Sequence, residues 1–357
     1  MLWVVVGCSN PHIDTNTTES NNTTEINTTS TIDRFAEPYY SQQWYLEYNN
    51  SYYTSHEIDA NASIHTGEVL EQYSGKGVTI AIIDDGLDIT HPEINDSIIS
   101  TYDISTHTSN VSHTSYSDYH GTAVTGIVAA QANGKGIFGI ARESQVIFLK
   151  HKPNMSDSET IELFRKAEEL EADIINCSWG TYDVSPAVKE TIQDLATIGR
   201  DGKGIIIVFA AGNDDRDMGN DESAIPEVIS VGATDRDNLR AWYSNYGEYL
   251  DVLAPGGYEV GITTLDPVGS NGIATEKEDY LLGDDPHSFI GTSASAPIVT
   301  GVIALMLERD INLTRVNVEN ILHRSSDKIG NLEYLNGFNK YYGYGKINID
   351  QIFSLQY

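Results

Sequence analysis

Apolar positions in this chain follow two periods, and the chain switches between them repeatedly from about residue 77 to residue 326. "GVTIAIIDDG" (77–86) is a nearly unbroken β-branched run, the composition of a parallel strand covered on both faces. "HGTAVTGIVAAQ" then reads as a helix, "SQVIFLKH" as a strand, and "DSETIELFRKAEELEA" as an amphipathic helix. "DIINCSWG", "GIIIVFAAGN", "VISVGATD" and "EYLDVLAPGG" are further strands. "PAVKETIQDLATIGRDG", "SASAPIVTGVIALMLERD" and "TRVNVENILHRSS" are helices. Strands alternating with helices predict βαβ crossovers, hence an α/β fold with a mainly parallel, doubly wound sheet and helices on both faces. Reacting groups in such sheets lie at the carboxyl ends of the strands.

The periodicity is absent at the N-terminus. Residues 9–36 are dominated by Asn, Thr, Ser and acids, too little apolar surface to offset the entropy of ordering, so a disordered linker is expected there. Residues 1–8, "MLWVVVGC", have the look of a lipoprotein signal ending at a lipobox cysteine, although no Lys or Arg opens it. The expected organisation is thus a signal at 1–8, a linker at 9–36 and one globular catalytic domain at 37–357. The protein is expected to be exported, as a cell-envelope lipoprotein or a secreted protein. Membrane contact is expected only through a lipid on Cys8. Only two cysteines occur, Cys8 and Cys177, so no disulfide framework supports the fold. Cys177, on an apolar strand, reads as a small core residue.

Charge narrows the function further. Acidic residues number 52 against 21 Lys and Arg, a formal charge of -31. Phosphates would be repelled, which argues against nucleic acid as a partner. Cations and basic peptides would be attracted.

Four polar residues stand at element termini beside glycine or other small residues. Asp84 follows the first strand, His120 begins a helix, Asn213 closes "IIIVFAAGN", and Ser293 opens the late helix among Gly291, Thr292, Ala294 and Ser295. Each alone has an ordinary structural reading; together they fit nucleophilic acyl transfer. A serine hydroxyl needs an imidazole to take its proton, and the imidazole needs a carboxylate to hold its tautomer. The developing oxyanion needs fixed donors, such as an Asn amide and a backbone N–H.

The segments "VTIAIIDDGLDITHPEI", "HGTAVTGIVAA", "VFAAGN" and "GTSASAP" resemble the four signature segments of the subtilases, the subtilisin-like serine peptidases, over roughly residues 37–357. "DDGLD", "CSWG" and "SQQWYL" lean to the kexin/furin-type branch and its bacterial relatives. The resemblance implies a serine endopeptidase, acting as a monomer on polypeptides, in the Asp-His-Ser order: Asp84, His120 and Ser293 as triad and Asn213 in the oxyanion hole. It implies that Ser178, Trp179 and Gly180 offer backbone groups to an extended peptide on an edge strand. Asp183, five residues after the serine of "SWG", would line a pocket for a basic side chain, with Asp217 and Asp221 as further acids nearby. Asn245 stands where the branch's other acid is expected, and no proline follows "SWG". The same resemblance implies a structural Ca²⁺ site. Its ligands would be Glu37, Glu93, Asn133 and the carbonyls of Gln131, Lys135 and Ile137, all hard oxygen donors.

Other readings fit fewer segments. "IAIIDD" is also similar to the acidic pair of a receiver domain, which would leave "HGT" and "GTSASAP" without a role. No G-x-S-x-G surrounds Ser293, and no H-E-x-x-H occurs. The remaining alternative is an inert subtilase fold that binds peptides without cutting them. Residues 294–357 are too few for the β-sandwich of true kexins, and no large folding prodomain is expected ahead of residue 77.

Overall fold

The computed structural model describes residues 34–274 and 279–356. Seven parallel strands form the central sheet: β1 (Thr79–Asp84), β2 (Ile98–Asp103), β3 (Gln145–Lys150), β4 (Ile174–Cys177), β5 (Ile206–Ala210), β6 (Ile229–Thr234) and β7 (Val252–Pro255), in the order β2-β3-β1-β4-β5-β6-β7. A two-stranded antiparallel pair, β8 (Thr264–Leu265) with β9 (Tyr280–Leu281), lies outside it. The helices are α1 (Asn50–Ser55), α2 (Val69–Gln72), α3 (His120–Ala129), α4 (Asp157–Glu169), α5 (Pro186–Gly202), α6 (Thr292–Arg309), α7 (Arg315–Ser325) and α8 (Ile349–Ser354).

Burial on both faces explains the continuous apolar runs. Alternate residues of each strand enter two separate cores: Ile80, Ile82, Val146, Phe148 and Val208 on the side of α3 and α6, and Ala81, Ile83, Ile147, Leu149 and Phe209 on the side of α4 and α5. The α6 helix is apolar on all sides because it is buried from Thr292 to Leu307 except at Ser293. The amphipathic α4 covers the opposite face and starts with a capping box between Ser156 and Glu159.

The structure shows several elements absent from the sequence reading: the short helices α1, α2 and α8, the edge strand β2 and the β8–β9 pair. The edge strand β2 is mostly half-exposed and carries a bulge between Ile98 and Ser100, so its residues "IISTYD" show no clean alternation. The β8–β9 pair is too short to carry a period. The domain boundary also moves. Arg34–Ala36 form a 3-10 turn with Arg34 buried, its guanidinium donating to Gly67 O at 2.7 Å and pairing with Glu47 at 3.2 Å. The folded body therefore includes the end of the segment expected as linker; Cys8 and residues 9–33 lie outside the described residues.

Strand order changes direction around β1, which lies between β3 and β4. Asp84 ends β1 and Ser178 follows β4, so the carboxyl ends of neighbouring strands bring both to one crevice.

Candidate active site

Asp84 is buried, and its Oδ1 accepts from His120 Nδ1 at 2.7 Å and from the Asp85 N–H at 2.9 Å. His120 is the first residue of α3. A second carboxylate, Asp85, accepts the Gly121 N–H at 3.0 Å and pins that helix start to β1. Gly121 has no room for a side chain: a Cβ there would lie 2.4 Å from Gly86 O and 2.6 Å from the Phe148 ring. Burial pushes the Asp84 carboxyl up, but the charge and hydrogen bond of His120 outweigh it and hold the group below the usual carboxylate range. Burial pulls His120 down, while the charge and hydrogen bond of Asp84, with Asp85 adding, carry it up to about 9. Burial and the Asp84 charge push Asp85 up to about 7.

Ser293 is the second residue of α6 and is half-buried. Its surroundings follow from Pro297, which has no N–H to give the carbonyl four residues earlier, that of Ser293. Ser178 Oγ supplies the missing donor at 3.0 Å, and Ser293 Oγ donates back to Ser178 O at 3.1 Å. Asn176 Nδ2 bonds Ser178 Oγ at 3.1 Å and its Oδ1 accepts from Thr300 Oγ1 at 2.9 Å, so β4 is fastened to α6 at two levels. No hydrogen bond joins Ser293 Oγ to His120 in this arrangement. The Phe289 ring meets the His120 ring edge-on at 5.2 Å.

Asn213, three residues beyond β5, accepts through Oδ1 from Thr292 N at 2.9 Å and Thr292 Oγ1 at 3.0 Å. That fixes the amide orientation and leaves its NH₂ without an acceptor among the described residues. Gly291 before the helix has φ +116°, and a Cβ there would stand 3.2 Å from Asn213 Nδ2. Glycine is needed at that position on both counts.

A cavity of about 230 Å³ adjoins Ser293, lined among others by Ser178, Gly180, Tyr182, Asn213 and Asp221. Asp183 does not line it: that residue is exposed and accepts from Asn220 Nδ2 at 2.9 Å. The wall acid is Asp221, buried, with Oδ2 accepting from Tyr182 N at 2.7 Å and Oδ1 from Ser223 N at 3.0 Å. Beside it, buried Glu222 accepts from Thr181 N at 2.9 Å and Thr181 Oγ1 at 2.7 Å. No cationic side chain pairs with either acid among the described residues. Asn245 is buried and holds the Asn213 loop, accepting from Asp214 N at 3.0 Å and Arg216 N at 3.2 Å. Ser178–Gly180 leave the sheet after β4, a central strand rather than an edge one.

The profile of the subtilase family matches residues 75–345. The chain belongs to the subtilase family. A calcium-dependent protease of Nostoc sp. is 33% identical over 339 residues, covering 87% of this chain and 50% of that one. A dibasic-processing endoprotease of Yarrowia lipolytica is 30% identical over 342 residues, covering 89% of this chain and 34% of that one. The solved serine protease of Aeromonas sobria, in complex with its chaperone, shares the fold at a TM-score of 0.78 and 20% identity, over 89% of this subtilase and 66% of that chain. The chain spans about half the length of the calcium-dependent proteases it matches.

The six residues expected at a cation converge on one loop of this subtilase. Glu37 Oε1 accepts from Gly134 N at 2.6 Å and its Oε2 from Gly136 N at 3.1 Å. Glu93 Oε2 accepts from Ile137 N at 3.2 Å, Glu93 O from Gln131 N at 2.8 Å, and Asn133 Oδ1 from Lys135 N at 3.1 Å. Both glutamates are buried; burial, with the Glu37 charge adding, pushes Glu93 up to about 7. Two facing buried carboxylates on a turn with an amide oxygen form a hard-oxygen donor set that suits Ca²⁺. His91 steadies this loop, its Nδ1 accepting from Glu93 N at 3.2 Å. Cys177 is buried, and burial pushes its thiol well up, which fits a core residue.

Asp221's contact with the cavity was not read from sequence, because the loop that carries it has no periodicity to place it. His151 was missed too. Its one signal was its place directly after β3, which pairs in parallel with β1 and so sets the residue beside Asp84.

Proposed function

We propose that this subtilase is a serine endopeptidase whose acyl-enzyme forms on Ser293. The observation that carries the reading is the buried Asp84–His120 pair at 2.7 Å, set at the strand ends beside a serine that opens a helix. His120 acts as general base, and Asp84 holds its Nδ1 proton and stabilises the imidazolium. The Ser293 hydroxyl leaves Ser178 O and turns to His120 as the peptide enters. The Asn213 NH₂ and the Ser293 N–H receive the oxyanion, both being without another acceptor among the described residues. Ser178–Gly180, free of the sheet, pair with the extended substrate through their backbone.

The buried, cation-free Asp221 in the cavity wall, with Glu222 next to it in the chain, supports a preference for Lys or Arg in that cavity. The dibasic-processing relative supports the same reading. Glu37, Glu93, Asn133 and the carbonyls of Gln131, Lys135 and Ile137 would hold a structural Ca²⁺, cross-linking the N-terminal segment to the loop after α3. The sequence ending at Cys8 supports export with a lipid on that cysteine.

The reaction is tested with a peptide library and phenylmethylsulfonyl fluoride. Cleavage after basic residues that the reagent abolishes is expected; cleavage that survives it would overturn the mechanism.

A further inference from the structure

Two orphaned polar atoms lie at the back of the Asp84 carboxylate. Asp84 Oδ2 and His151 Nδ1 are both shut off from water, and neither has a hydrogen-bond partner among the described residues. They belong to neighbours: His151 N donates to Asp84 O at 2.7 Å, one residue beyond the last register pair of β1 and β3, Asp84 with Lys150. Each group acts on the other electrostatically, His151 drawing Asp84 down and Asp84 drawing His151 up. The Trp179 ring meets the His151 ring edge-on at 5.7 Å, and its Nε1 is fixed to Ile83 O at 2.9 Å. Buried polar atoms are nearly always paired, so two orphans on contiguous residues that attract each other mark an interaction of their own.

We propose that His151 is a positioning residue for the reaction, its Nδ1–H donating to Asp84 Oδ2 directly or through one buried water, so that the carboxylate is held from both flanks. This rests on the triad reading of Asp84 and His120. His120 takes Oδ1 and His151 takes Oδ2, and the carboxylate cannot rotate away from the general base. A second donor also spreads the carboxylate's charge and loosens its grip on the His120 proton. The charged and titratable groups that face His151 are Asp84 from β1, His120 from α3 and Lys150 at the end of its own strand. Lys152, ion-paired with Glu159 of α4, lines with His151 and Trp179 a second cavity next to the one at Ser293. Burial holds His151 below the ordinary histidine value, so it is a neutral donor at neutral pH.

The test compares His151→Phe, which keeps a ring against Trp179, and His151→Leu, which has no donor either, with His151→Asn, whose amide can donate. In the variants without a donor, kcat is expected to fall about tenfold with KM nearly unchanged. The acid limb of kcat/KM moves to higher pH, because the bare carboxylate binds the His120 proton more tightly. His151→Asn restores most of kcat and returns the limb. An unmoved limb with a raised KM in all three variants would overturn the proposal and leave His151 as a wall of the adjoining cavity. A wild-type protein that folds yet never acylates at Ser293 would overturn the triad reading itself, an outcome seen before any variant is made.

Discussion

Ser178 grips Ser293 through both of its polar groups, and Pro297 is the reason one of them was available. In the proposed mechanism the Ser293 hydroxyl is thus parked on a backbone carbonyl until a substrate displaces it. His120 then has to be neutral to accept its proton. Asp84 lifts that imidazole to about 9, so kcat/KM is expected to climb with pH through the alkaline range as the neutral base accumulates. In Asp84→Asn the main lifting charge is gone, and burial is opposed only by the Asp85 charge. Its acid limb is expected to move down from about 9 towards the ordinary histidine value of about 6.5, with a rate loss of about 10⁴. Rate profiles over pH check both. At the cavity wall, Asp221→Asn is expected to erase the proposed preference for Lys and Arg while apolar substrates are cut nearly as before. Kinetics on paired peptides read this directly; an unchanged preference would move the specificity elsewhere.

At the scale of elements, each predicted role depends on a terminus. Asp84 ends β1, His120 starts α3 and Ser293 lies in the first turn of α6, and the glycines near them permit approaches no side chain would allow. Those residues were legible because strand and helix periods stop at them. Asp221 was legible only as one acid among several near the pocket and His151 not at all, since their placement depends on how a loop folds back and on which strands pair, and neither leaves a local period. Asp183 illustrates the same limit: its spacing from Ser178 is right, yet its carboxylate turns to Asn220 and solvent. The strand β2 escaped for a simpler reason, being a half-exposed edge. The loop of residues 131–137 is tied to Glu37 and Glu93 by its backbone N–H groups, and removing a bound cation would leave those buried charges uncompensated. Chelation is therefore expected to lower the melting temperature by several degrees, and Glu93→Gln should lose most of that response. Thermal unfolding with and without chelator checks it; equal melting temperatures would argue against a cation here.

The whole chain carries a formal charge of -31, and the proposed active-site crevice contains the buried acids Asp84 and Asp221. Basic peptides should be steered towards it, so kcat/KM for Lys- and Arg-containing substrates is expected to drop with ionic strength more steeply than for neutral ones. A rate series in salt tests this. The two cores on opposite faces of the sheet hold β1, β4 and β5 in fixed register, and with them the three segments that supply Asp84, Ser178 and Asn213. The central claim is that Ser293 becomes a nucleophile only through His120. The most direct measurement is intact mass and peptide mapping after treatment with a fluorophosphonate. One adduct, on Ser293, is predicted for the wild-type protein, and none at matched times for a folded His120→Ala variant. A folded wild-type protein that takes up no label, or takes it up at a different residue, would contradict the account.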